Sequence, residues 1–159
     1  MRRHLFNYGW SALVYLSVSA SGQGDDSYTR YELLDPPSQS FRILYDVTVT
    51  QPGASFYYNT LRKGSEHKVD AVTDRMTGQP LTWTIVSGAE ARKAGHVSAA
   101  EDTDYLQVKL ARPLVPGSEY RLTIDKTYKD PKSYFVESDR IVFDRPLGIK
   151  RNAIVLPRG

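Results

Sequence analysis

Three histidines, His4, His67 and His96, stand far apart in the sequence. A protein zinc site wants three or four convergent ligands, and no His-Glu-x-x-His pair sets two imidazoles on one helix face. His67 and His96 each sit singly among polar neighbours and read as solvated surface side chains. No metal site is expected. Glu101, Asp102 and Asp104 form an acidic cluster that could offer hard oxygens to calcium or a carboxylate pair for glycoside hydrolysis. The glycine and spacing of a dedicated calcium loop are missing there, so solvated loop charge is the expectation. Gly-x-Ser-x-Gly and the phosphate-cradling glycine patterns are both absent. With 0 cysteines there is no thiolate nucleophile, no disulfide and no Cys-ligated metal. These patterns supply no catalytic residue and no cofactor, and the chain is not expected to be an enzyme.

Aromatic side chains are the remaining chemistry, and tyrosine is unusually frequent at 11 residues. Phe56, Tyr57 and Tyr58 run consecutively, so in a strand Phe56 and Tyr58 share one face and Tyr57 takes the other. Tyr134 and Phe135 behave likewise after the Lys129-Asp130-Pro131-Lys132 turn. Exposed rings on a flat sheet stack on sugar or peptide; buried ones are cross-strand packing partners. Tyr57, Tyr58, Tyr134 and Phe135, with the basic turn residues Arg62 and Lys63, are the candidate binding residues.

The elements that must position them are strands. Phe41, Ile43, Tyr45, Val47 and Val49 alternate with polar residues at period two, and Pro52-Gly53 ends the run. Residues 54–61 are aromatic and β-prone. Leu81, Trp83 and Ile85 alternate, as do Leu106, Val108 and Leu110. Tyr120, Leu122 and Ile124 continue to Lys126 and Tyr128 on one face, with Arg121, Thr123, Asp125 and Thr127 on the other. Ser138-Asp139 between two short β-prone runs predicts a two-residue hairpin. Only residues 88–100 resemble helix, and Gly95 should stop it after two turns. This pattern predicts an all-β, antiparallel β-sandwich with a short helix in the 88–100 loop, a domain covering residues 28–159.

The N-terminus supplies the address. Arg2, Arg3 and His4 precede an uncharged apolar stretch, Leu5 to Val18, with small residues near Ala20; this is the layout of a secretory signal over residues 1–20. A polar linker, residues 21–27, follows. The apolar run is too short for a membrane span, so the mature chain is expected to be exported, periplasmic or extracellular, with no transmembrane segment. Without Arg2 and Arg3 the formal charge of +3 falls to +1. That is a weak footprint for a nucleic-acid partner, and none is expected.

The stretch Leu106-x-Val108-x-Leu110-x-x-Pro113-Leu114-x-x-Gly117-x-x-Tyr120-x-Leu122-x-Ile124-x-x-x-Tyr128 resembles the N-terminal β-sandwich domain of the aminopeptidase N (gluzincin) family of zinc peptidases. Tyr31-Glu32-Leu33-Leu34 with Ser40-Phe41-Arg42-Ile43, Arg62-Lys63-Gly64-Ser65-Glu66, and Lys126-Thr127-Tyr128-Lys129-Asp130-Pro131 with Leu147-Gly148-Ile149-Lys150-Arg151-Asn152 resemble a group of uncharacterised exported bacterial proteins associated with that sandwich. The family keeps its zinc ligands and general base in a following helical domain, so no catalytic residue carries over. The resemblance implies a fold and a binding or docking role, toward a peptide, a protein or a cell-envelope component. The alternative is a carbohydrate-binding module using the exposed aromatics.

Ala153, Ile154, Val155 and Leu156 form a short apolar run that predicts a buried strand. Little chain follows to cover it, so truncation or an edge open to self-association is expected there.

Overall fold

A computed structural model describes residues 27–157. The signal-like segment over residues 1–20, and most of the linker after it, lie outside the described residues. The elements in chain order are β1 (Tyr28–Leu33), a 3-10 turn (Pro36–Ser38), β2 (Ser40–Val49), β3 (Phe56–Thr60), β4 (Glu66–Asp74), β5 (Trp83–Ser87), α1 (Gly88–Lys93), β6 (Asp104–Lys109), β7 (Tyr120–Lys129), β8 (Tyr134–Glu137), β9 (Arg140–Phe143) and β10 (Arg151–Val155). The all-β expectation holds.

A five-stranded sheet in the order β10-β1-β2-β7-β4 faces a three-stranded sheet in the order β3-β6-β5, and β8-β9 form a separate hairpin. The alternation read in β2 and β7 sends Phe41, Ile43, Tyr45, Val47 and Val49 inward with Tyr120, Leu122 and Ile124, against Leu106, Val108 and Leu110 of the second sheet. Each fully buried apolar side chain of this layer contributes roughly 1.5–3 kcal/mol.

Two local features follow sequence chemistry closely. Ser138 and Asp139 both adopt left-handed backbone (φ 47° and 63°), the geometry of a type I′ hairpin turn. Helix α1 starts on a reciprocal cap in which Ser87 and Glu90 satisfy each other's free backbone N–H groups, and Gly95 (φ +101°) ends the loop's helical path.

One expectation is corrected, and two features lie beyond what the sequence pattern carries. The pairing is not wholly antiparallel: β10 runs parallel to β1, with Arg151 beside Tyr28 and Val155 beside Glu32. The Ala153–Leu156 run is not a buried strand. It lies on the outer edge of the sheet, where Ile154 is 43% and Leu156 68% exposed, because among the described residues β1 alone pairs with it. Strand β4 has no counterpart in the sequence reading, since a bulge between Val69 and Ala71 breaks its alternation and its edge position keeps polar residues on it.

Candidate functional site

Two neighbouring hollows flank β3, and they share Tyr45, Asn59 and Thr60. The first is a cleft of about 370 Å³ between β3, the end of β2 and the loop at Gly95–Ser98. A further hollow of about 430 Å³ continues along Gln51–Phe56. Strand β3 pairs with β6 alone among the described residues. The Ser55 carbonyl accepts from Leu110 N–H (3.0 Å), and Leu61 N–H donates to the Asp104 carbonyl (2.9 Å). Bonded residues alternate along an antiparallel pair, so the backbone groups of Phe56, Tyr58 and Thr60 point away from β6 toward the open side.

Around this edge the aromatic side chains are committed. Tyr58 stacks on His96 at 4.8 Å between centroids and 8° between planes, and its hydroxyl accepts from Gln107 Nε2 at 2.7 Å. His96 also meets Tyr105 edge-on at 5.2 Å. It is therefore half-buried between two tyrosines rather than solvated, and burial lowers its pKa. Tyr57 turns inward as the period-two pattern requires, packs against the core and bonds the Tyr45 hydroxyl.

The second hollow, of about 300 Å³, lies between the sheets at the other end of β3. Lys126 enters it from β7, on the same inward row as Ile124 and Tyr128, and is only 4% exposed. Its Nζ donates to Asn59 Oδ1 across the sandwich and, at 3.4 Å, to the Tyr128 hydroxyl. Among the described residues no carboxylate forms an ion pair with it. Burial, reinforced by the Arg145 charge, pushes its pKa down to about 7. Arg145 lies over the rings of Phe41 (5.3 Å) and Tyr128 (5.1 Å). Its Nη1 is 3.8 Å from Asp130 Oδ2, beyond hydrogen-bond reach, and that nitrogen makes no hydrogen bond among the described residues, while the guanidinium stands close enough to the Tyr31 hydroxyl to act on its pKa. Thr29 is 2% exposed, and its Oγ1 also lacks a partner. Burial raises the pKa values of the Tyr31 and Tyr45 phenols, which keeps both protonated at neutral pH.

The candidate residues do not assemble into one platform. Tyr134 is wholly buried, its hydroxyl donating to the Leu34 carbonyl at 2.7 Å and its ring packed on Phe143 at 6.4 Å. Phe135 belongs to the β8–β9 hairpin, paired with Val142. The face expected to be exposed at Tyr134 is the one that packs on the core, because strand alternation gives two faces without saying which is outside. Arg62 approaches buried Asp130 at 3.3 Å, and Lys63 pairs with Asp102 at 3.2 Å. Glu101 pairs with Arg92 at 3.0 Å. Lys126, Arg145 and Thr29 were missed as site residues. The available signal was a lysine standing in phase with Leu122, Ile124 and Tyr128.

Neither a scan of protein-family models nor a search of curated proteins finds a match to this chain. Among solved structures, an M1 zinc metallopeptidase from Deinococcus radiodurans aligns at 19% identity and TM-score 0.44, over 65% of this chain and 19% of that one. A two-domain M1 zinc metallopeptidase variant bound to L-arginine aligns at 18% identity and TM-score 0.46, over 71% of this chain and 24% of that one. The chain thus spans about a fifth to a quarter of the length of the peptidase chains it resembles, and it matches them in part and at low identity.

Proposed function

We propose that this chain is an exported, non-catalytic binding module that receives an extended peptide segment of a partner protein against the open edge of β3. The observation that carries this reading is the orientation of that edge. The N–H and C=O groups of Phe56, Tyr58 and Thr60 face a cleft instead of a neighbouring strand. Unpaired strand groups seek partners, and an added strand satisfies them with a regular ladder. Phe56, 38% exposed, and Val97, 83% exposed, offer apolar contact on either side of the cleft. Nothing in the sugar-platform reading gains comparable support, since Tyr134 is buried and His96 covers a face of Tyr58.

The test is selection of peptides from a random displayed library on the full chain, followed by amide exchange of the complex. Selected peptides should protect the amides of Tyr58 and Thr60. Thr60→Pro deletes one outward N–H while leaving the bonds to β6 in place. It should weaken binding at least tenfold with little change in melting temperature. Peptides that bind without protecting those amides, or a Thr60→Pro variant that binds as well as the parent, would refute strand addition.

A further inference from the structure

The hollow around Lys126 has an imbalance that its own residues do not resolve. Its walls bring in Lys126 and Arg145 as charged groups and no aspartate or glutamate. Buried cations are ordinarily paired with carboxylates, because desolvation without a counter-charge is costly. Asp130 stands behind Arg145 at 3.8 Å but is shared with Arg62 at 3.3 Å. Two further polar atoms in the same place, Thr29 Oγ1 and Arg145 Nη1, are buried without a hydrogen-bond partner. Such orphaned groups are rare in proteins and call for an account. The Thr29 hydroxyl lies on β1 beside Tyr45 of β2, so it enters the hollow on the same inward row as Tyr31.

We infer that this pocket binds an organic monocarboxylate, its anionic group held by Lys126, Arg145 and the Thr29 hydroxyl and its carbon part by Ile43, Ile149 and the Tyr45 ring. One negative charge matches the site: Arg62 is 37% exposed and is met by solvent, so Asp130 serves as the counter-charge of the more buried Arg145, and the Lys126 ammonium is the charge left to be neutralised. A dianion would leave a second charge buried. Ile43, Pro146, Ile149 and the tyrosine rings give one part of an otherwise polar wall a carbon surface, which favours an organic acid over an inorganic ion, and about 300 Å³ lies at the lower end of the range for small-molecule sites. The acid is either free or the C-terminal carboxylate of a peptide, since Tyr45, Asn59 and Thr60 line both this pocket and the β3 cleft. The pocket stands independently of strand addition.

Binding has a signature that a purely structural lysine would not produce. The Lys126 amine, with its pKa near 7, is mostly neutral at pH 8, and a bound carboxylate restores its proton. Isothermal titration of the full chain with phenylacetate at pH 8, in buffers of different ionisation heat, should show uptake approaching one proton per ligand. At pH 6 the uptake should fall toward zero. Phenylacetamide should bind at least tenfold more weakly. Lys126→Met should lose at least tenfold in phenylacetate affinity without a lower melting temperature, and the near-isosteric Thr29→Val should lose about threefold.

Ala-Ala-Ala-Phe with a free C-terminus, compared with its C-terminal amide, separates the two sources. A tenfold preference for the peptide acid without phenylacetate binding assigns the pocket to chain termini. Phenylacetate binding without that preference assigns it to free acids. The inference is overturned if neither acid is preferred to its amide, if inorganic phosphate binds more tightly than phenylacetate, or if Lys126→Met binds unchanged. A peptide amide that protects β3 amides under those outcomes would leave strand addition standing and remove only the carboxylate pocket.

Discussion

The two ends of β7 place ionisable groups in the same inner layer and treat them in opposite ways. Near its start, Asp74 of β4 sits beside Leu122, is 2% exposed, and has donors to meet it. Tyr120 donates its hydroxyl to Oδ2 at 2.7 Å, while Met76 N–H and Thr77 N–H donate to Oδ1 at 2.7 and 3.3 Å. Near its end, Lys126 is 4% exposed and among the described residues meets only neutral oxygens, beside a hollow of about 300 Å³. Burial alone would raise the pKa of Asp74, but the hydrogen bonds outweigh it and the net shift is downward. The shift at Lys126 is set by burial and by Arg145, with nothing opposing. A carboxylate in a satisfied turn stabilises the fold; an ammonium in an unsatisfied pocket strains it and is available to a ligand.

The largest effect is expected at the satisfied end. Asp74→Ala strands the buried Tyr120 hydroxyl, which costs about 1–3 kcal/mol when left unpaired, and removes the acceptor of the Met76 and Thr77 N–H groups in the exposed turn, each lost bond costing about 0.5–1.5 kcal/mol. Allowing for relaxation, chemical denaturation should show a loss of about 3 kcal/mol at pH 7. Because the folded pKa of Asp74 lies below its unfolded value of about 3.9, its contribution is complete above that value and lost as pH falls through the folded one. The acid limb of the stability profile should therefore flatten in the variant. A loss under about 1 kcal/mol would mean that the two ends do not differ in the way their hydrogen bonds imply.

Lys126→Met should act in the opposite direction. The folded protein releases this proton near 7 and the unfolded chain near 10.4, so between those values the unfolded state holds more protons and stability rises with pH. The parent should gain up to about 1.4 kcal/mol per pH unit between 7 and 9 from this group. Below 7 both states are protonated and the burial cost is felt in full. The variant should be more stable than the parent at pH 6, by about 1–2 kcal/mol, with the advantage shrinking toward pH 9. The Tyr31, Tyr45 and Tyr128 phenols do not confuse this window, since burial raises all of their pKa values from 10. Parallel pH profiles of parent and variant would erase the contrast.

How much of this the sequence exposes follows from the range of the information. Period-two alternation is local, and it placed β2, β6 and β7 and even set Lys126 on the inward row. The Ser138-Asp139 turn and the Gly95 stop were legible for the same reason: φ preferences belong to single residues. Strand β4 was illegible because its bulge shifts the phase after Val69. The pocket was illegible because Asn59, Lys126 and Arg145 come from β3, β7 and the segment after β9, and only the stacking of two sheets brings them together. Tyr134 shows the same limit: its exposure depends on Leu34, which lies 100 residues away in the chain.

The smallest effect is expected on the outside of the same strands, where charge is plentiful and paired. Arg42 of β2 grips Asp125 of β7 with two nitrogens, Nε to Oδ1 at 2.8 Å and Nη2 to Oδ2 at 2.6 Å, and reaches Glu32 of β1 at 3.3 Å. Its pKa is raised chiefly by the hydrogen bonds to Asp125, so it is charged at any working pH. The side chain is nevertheless 41% exposed, and solvent weakens the pair. Arg42→Met should lose about 0.5–1 kcal/mol at low salt, the upper part of the range for surface pairs because the grip is two-pronged. In 1 M salt the Debye length falls to about 3 Å and the loss should shrink by half or more. Denaturant titrations of parent and variant at both salt concentrations check this. A loss above about 2 kcal/mol that salt leaves untouched would show that the outer charges carry stability of the kind assigned to Asp74, and that burial is not what separates the two faces.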